Sequence, residues 1–390
     1  MRVCFWATTF QSDNLVQAVL MADQGHDVTV VMPRPDDFLK QPISKLAPLR
    51  ARILDRGDVS TLPRLRDESF DVMIVDNHLP GVSLAEHLFV LWHGFGWRVD
   101  DLTTMRAELR KLVGDVTRPN PRFRWQAVGD WDREYRISHS ELDSQNVVAL
   151  GAPASDWLRP ESALSRRFDR AAVQDAYSID LRKKVVLVAL TWHHGGSLAH
   201  WGDEERLLTH FAQRAASLGA SVLLRMHDRQ RYSGDYVALV TRVAERLGGS
   251  LMLKWKNESP DNTIDLLVSD VCVSNYSSVL NAFYYTERPT IHIDPHDADA
   301  DQHTTYRLFC GVPIPVQVKQ REEIWKLSPD EHGGLRAQSF DELLSQLEEA
   351  LADPTCCRDR ARAFMRRYLT QVDGQSAQRT LTYLERWTGK

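Results

Sequence analysis

The stretch from Asp265 to Asn281 reads as a buried strand that ends in a hydroxyl-rich turn and opens a helix. The apolar run Val271 to Val273 suits a strand covered on both faces. Ser277 and Ser278 then fall where N-cap side chains and first-turn N–H groups point at an anion, which makes the turn from Asn275 to Ser278 a candidate phosphate site. A second strand follows within Arg288 to Pro295, so the unit is strand-helix-strand with its site at the carboxyl ends of the strands. Three further apolar runs end on residues able to do chemistry: Trp92-His93-Gly94-Phe95, Thr191-Trp192-His193 and Arg225-Met226-His227.

These positions need a scaffold. A length of 390 residues predicts two domains, each large enough to bury its own core. With 43% hydrophobic and 26% charged residues and a net charge of -5, the chain is neither disordered nor a basic nucleic-acid binder. No apolar run approaches the roughly 20 residues that span a bilayer, and no signal-peptide core precedes the strand starting at Arg2; a cytoplasmic location is expected. Five cysteines without framework spacing fit reduced thiols.

The first half reads as strand from Arg2, helix from about Asp13 to Gln24 and strand from Asp27, with Gly25-His26 as the helix stop. Further strands are expected at Phe70–Asp76, Leu88–Trp92 and Asn146–Leu150. After the first strand stands Ala7-Thr-Thr-Phe-Gln-Ser-Asp13, with no dinucleotide-binding Gly-x-Gly-x-x-Gly. A polar stretch near 153–183 reads as a linker. Strands at 185–190, 221–225 and 251–254 then alternate with helices at 203–218 and 235–247, and the tail from Phe340 is helical. Such alternation predicts an α/β protein of two Rossmann-like domains facing a central cleft.

In their order, Trp92-His93-Gly94, Leu190-Thr191-Trp192, Arg225-Met226-His227, Val273-Ser-Asn275-Tyr-Ser-Ser278 and Arg288-Pro289 resemble the teichoic-acid CDP-glycerol glycerophosphotransferase family, whose fold is GT-B. The resemblance implies transfer of a polyol phosphate from a CDP-activated donor to an acceptor hydroxyl, with release of CMP and neither metal nor cofactor. It implies that His93 is the general base on the acceptor side and that His227 faces the donor diphosphate. Arg225, Asn275, Ser277 and Ser278 would hold the donor phosphates, while Trp92, Gly94, Phe95, Thr191, Trp192 and His193 would line the acceptor side or the cleft. Residues 1–160 would then form the acceptor-side domain and 180–352 the nucleotide-donor domain, with the helices of 353–390 crossing back to the first. Phe95, His193 and Asn275 stand where the family usually has Thr, Arg and Asp.

The residue types suit that chemistry independently. An alcohol attacking phosphorus must lose a proton, which an imidazole of pKa near about 6.5 accepts at neutral pH. Charge spread over the phosphoryl oxygens needs fixed donors. Each residue also has a plainer reading: Arg225 pairing with Asp228, Ser277-Ser278 capping a helix, Trp92, Trp97, Trp125 and Trp131 packing a core. His193-His194 with His200 tempts a metal reading, but adjacent histidines diverge on most backbones. The arginine-rich segment Arg358–Arg367 reads first as a solvated helix and second as a peripheral contact with the inner membrane face. The expected partners are a nucleotide-activated donor and a glycan, lipid-linked or small soluble acceptor, with no nucleic acid. Two other functions stay open: a GT-B glycosyltransferase or related nucleotide-sugar enzyme, and an inactive nucleotide- or glycan-binding scaffold.

Overall fold

The computed structural model describes residues 1–8, 10–76, 79–91, 94–95, 103–190, 198–227, 233–255, 261–275, 277–294, 302–309, 312–319, 327 and 329–390. The chain divides into two compact units, Met1–Arg167 with Pro260–Thr263 and Met365–Lys390, and Phe168–Ser259 with Ile264–Phe364.

Unit 1 is built on β1 (Arg2–Trp6), β2 (Asp27–Met32), β3 (Arg52–Asp55), β4 (Phe70–Val75), β5 (Ala85–Val90), β6 (Phe123–Ala127) and β7 (Val147–Ala149). They form one parallel sheet in the order β3-β2-β1-β4-β5-β6-β7. The central strands are buried over nearly their whole length, as the apolar runs require for a sheet covered on both faces. Met73, Val75, Leu88, Val90, Phe123 and Trp125 pack one such layer with Leu109 and Leu112 of the helix Thr103–Val113.

Unit 2 repeats the plan with β8 (Lys184–Val188), β9 (Ala220–Met226), β10 (Leu251–Trp255), β11 (Val271–Ser274) and β12 (Thr290–Ile293). A hairpin of β13 (Gln302–Phe309) and β14 (Val312–Lys319) comes next, and β15 (Leu335–Ala337) closes the parallel sheet β10-β9-β8-β11-β12-β15. The helices Glu204–Ser217 and Phe340–Ala352 bury Leu208, Phe211, Leu343 and Leu347 on it.

Several expectations are refined. Thr263–Val268 is a helix, so the strand expected from Asp265 begins only at Val271. β3, β6, the β13–β14 hairpin and β15 were not anticipated. The tail is three helices, Phe340–Ala352, Arg358–Tyr368 and Ser376–Thr388, the last packed on unit 1. There Gly129 and Gly151 admit the tail backbone so closely that side chains would not fit. Cys4, Cys272, Cys356 and Cys357 are free thiols. Among the described residues no helix is long and apolar enough to cross a membrane.

Candidate functional site

In unit 2 the chain runs outward from β8 in both directions, to β9 and β10 on one side and to β11 and β12 on the other. The order of strands therefore reverses between β8 and β11, the usual ligand position in an open parallel sheet. Every residue of β11 is buried. Ser274 Oγ donates to the Ala189 carbonyl across this point and ties the two strand ends together. Asn275, 3% exposed, follows directly. Ser277 is the N-cap of the seven-residue helix Ser278–Tyr284, its Oγ accepting from the Val279 N–H at 3.4 Å. The Leu280 N–H goes to the Ser277 carbonyl. With two first-turn amides taken, the turn offers a ligand the hydroxyl of half-buried Ser278, which bonds no described residue, and the O–H of Ser277, whose oxygen accepts from Val279.

One strand beyond β8, β9 ends in Arg225 and Met226, and His227 follows, half-buried. Arg225 is 8% exposed, and its Nη1 lies 2.6 Å from Oδ2 of the fully buried Asp265. Lys254, its register partner on β10 and 6% exposed, places Nζ 2.5 Å from the other carboxylate oxygen, to which Tyr177 also donates at 3.0 Å. Burial pushes the Asp265 carboxyl up, but the charges of Lys254 and Arg225 outweigh it and hold the group below its ordinary value. Arg225 was expected on the donor phosphates. In this structure its Nη1 bonds Asp265, which holds the end of β9 just before His227.

Of the acceptor-side positions, Trp92, His93, Thr191, Trp192 and His193 lie outside the described residues. Gly94 is anchored in the interior of unit 1: its carbonyl accepts from Arg136 Nη2 at 2.8 Å, and Arg136 Nε bonds Asp132 at 3.0 Å, both side chains fully buried. Phe95 stacks on Trp131 at 4.7 Å and meets Tyr368 edge-on at 6.3 Å. Phe95, expected on the acceptor side, is thus flanked by aromatic rings of unit 1. The Asp132–Arg136 pair went unremarked in the sequence, although its i,i+4 spacing on the helix Asp130–Ser140 was visible. Arg288 is likewise structural. It donates to the carbonyls of Leu267 and Ser269 and lies over the Phe283 ring, and burial lowers its pKa to about 10. Among the described residues no cluster of His, Cys, Asp and Glu could hold a metal.

The sequence model of CDP-glycerol:poly(glycerophosphate) glycerophosphotransferases matches residues 131–386. The wall teichoic acid polymerase TagF superimposes with a TM-score of 0.70 at 13% identity, over 100% of this chain and 89% of that one. A TagF variant soaked with CDPG gives 0.67 at 14% identity over the same shares of both chains. UDP-GlcNAc 2-epimerase from Neisseria meningitidis, bound to UDP-GlcNAc, gives 0.59 at 11% identity, over 99% of this chain and 100% of that one. At these identities the likeness establishes the fold, two parallel α/β units of GT-B type. No curated protein sequence matches the chain significantly.

Proposed function

The chain belongs to the CDP-glycerol:poly(glycerophosphate) glycerophosphotransferase family, and we propose that it transfers glycerol phosphate from CDP-glycerol to an acceptor hydroxyl at the β8/β11 edge of unit 2. The observation carrying this reading is that the family match encloses that edge whole, including Arg225–His227 and Asn275–Ser278. In the proposed reaction the acceptor oxygen bonds the glycerol-phosphate phosphorus, the bond from that phosphorus to the CMP oxygen breaks, and the acceptor proton passes to a base. His93 is assigned that base from its place in the motif order. His227, Asn275 and the Ser277 and Ser278 hydroxyls are assigned to the donor phosphates, where fixed donors stabilise the charge building on the leaving CMP. Arg225, held by Asp265, positions His227, and Arg136 positions Gly94 next to His93.

CMP release from CDP-glycerol, compared with a panel of nucleotide sugars, tests this. We expect CMP only from the cytidine donor, and loss of turnover with His93→Ala at nearly intact donor affinity. His227→Ala should weaken donor binding or slow transfer by about 100- to 1000-fold. A nucleoside diphosphate released from a nucleotide sugar would instead identify a glycosyltransferase, and no product from any donor an inactive scaffold. For the acceptor we favour a glycerol-phosphate-bearing chain end at an anionic membrane face. The helix Arg358–Tyr368 exposes Arg358, Arg360, Arg362, Arg366 and Arg367, of which Arg358 and Arg362 share Glu287.

A further inference from the structure

Unit 1 has a switch point of its own, between β1 and β4, with β2 and β3 on one side and β5 to β7 on the other. The segment leaving β1 there is held from two directions. Asp76, 2% exposed and directly after β4, accepts the Thr8 N–H at 2.8 Å. Arg56, directly after β3, reaches across the end of β2 and donates from Nη1 to Thr8 Oγ1 at 2.7 Å, its guanidinium 5.4 Å from the Trp6 ring centroid. Arg56 is half-buried and forms no ion pair with any described carboxylate. Three residues after Thr8 stands Gln11, the N-cap of the twelve-residue helix Ser12–Asp23. It is 6% exposed, yet it makes no capping bond and its Oε1 has no hydrogen-bond partner.

A fold does not ordinarily bury an amide oxygen without a donor, and the half-buried Arg56 guanidinium, with Nη1 on Thr8, has further N–H donors to offer. Gln11 stands at a helix N-terminus and Arg56 bonds Thr8, three residues before it, at the switch point where open parallel sheets bind ligands. We infer that this edge is a second binding site, taking a small phosphorylated polyol, with Arg56 on the phosphate and Gln11 on a hydroxyl. The planar guanidinium offers paired N–H donors to phosphate oxygens, and the amide accepts from a hydroxyl, so the two together select a ligand bearing both groups. The inference rests on the proposed function in one respect: a glycerophosphate acceptor ends in such a group, and unit 1 would hold it.

The test is a titration of the full-length protein with sn-glycerol 3-phosphate under saturating CMP, with inorganic phosphate in a parallel arm. Wild type is expected to bind glycerol 3-phosphate whether or not CMP is present. Arg56→Ala should weaken both ligands at least tenfold, whereas Gln11→Ala should weaken glycerol 3-phosphate severalfold and leave inorganic phosphate unchanged. The thermal shift with CMP should be the same in both variants. Absence of binding, displacement by CMP, or unaltered affinity in Gln11→Ala would each overturn the site; Gln11→Ala also decides the matter should Arg56→Ala fail to fold. A protein that takes glycerol 3-phosphate here but releases no CMP from CDP-glycerol would defeat the donor reading alone.

Discussion

Replacing Asp265 by Asn perturbs the candidate site without touching any residue proposed to meet substrate. Asp265 is fully buried and accepts from Arg225, Lys254 and Tyr177. The amide is nearly isosteric but removes the negative charge, leaving two cations less than a tenth exposed beside a group that cannot neutralise them. Breaking a buried ion pair from one side costs about 3–5 kcal/mol, because the stranded charge remains desolvated. We take about 3 kcal/mol, since the amide oxygen still accepts one bond. That is a large part of the about 5–15 kcal/mol that holds a domain folded. For a unit of this size it lowers the midpoint of the unit 2 transition by about 6–12 °C in calorimetry. The pH dependence supplies a second readout. Because the folded carboxyl lies below its ordinary 3.8, its contribution is present above that pH and disappears as pH falls through the folded value, so wild type and variant should converge in strong acid. Arg225→Ala combined with Asp265→Ala should cost less than the sum of the two. A midpoint lowered by less than about 2 °C, with strict additivity of the double variant, would refute the view that Asp265 holds Arg225 in place.

The two serines of the phosphate turn should separate. Ser277→Ala loses its N-cap and about 1 kcal/mol of stability, read in urea unfolding, whereas Ser278→Ala should leave stability unchanged and raise the KM for donor. Tyr284, His292 and His332 form a buried cluster in which the Tyr284 hydroxyl lies 2.6 Å from His292 Nε2, and burial holds His332 down to about 4 and His292 well below 6.5. The unfolded chain takes up protons below pH 6.5 while these histidines do not, so stability should fall from pH 6.5 downwards, and His332→Phe should remove about 2 kcal/mol of that loss at pH 5 in denaturant titrations. Reversing Arg366 and Arg367 to Glu should cut sedimentation with phosphatidylserine vesicles at least tenfold at low salt, given about 1 kcal/mol per basic residue; wild-type binding indifferent to salt would count against the arginine face. A Cβ at Gly129 would lie 2.8 Å from both the Thr370 nitrogen and the Tyr368 carbonyl oxygen. Gly129→Ala should therefore destabilise unit 1 by about 1–3 kcal/mol and expose the C-terminal tail to protease, and an unchanged digestion pattern would argue against tight docking.

The sequence by itself determined the fold class, the alternation of strands and helices, and the strand ends that carry the candidate site residues. Buried parallel strands must be continuous apolar runs, and β1, β9 and β11 are such runs, each followed at once by the polar residues that its loop carries. Where that signature weakens, only the tertiary structure decided. β3 is a half-exposed edge strand with Arg and Asp at its ends, and β15 is three residues long, so neither has a run to read. Thr263–Val268 is too short and too apolar to show a period, and its helical state comes from packing. The same division runs through the site. The Asn275–Ser278 turn was legible because its elements are contiguous, whereas the partner of Arg225 lies 40 residues away on another element and nearby Asp228 was the natural guess. Arg225 and Lys254 meet at Asp265 because β9 and β10 pair in register and the helix Thr263–Val268 presents Asp265 to both. Arg56 and Gln11 likewise flank Thr8 only because β1 lies between β2 and β4. Local pattern fixes periodicity and caps, but which charges neutralise one another depends on distances in space that no local pattern encodes.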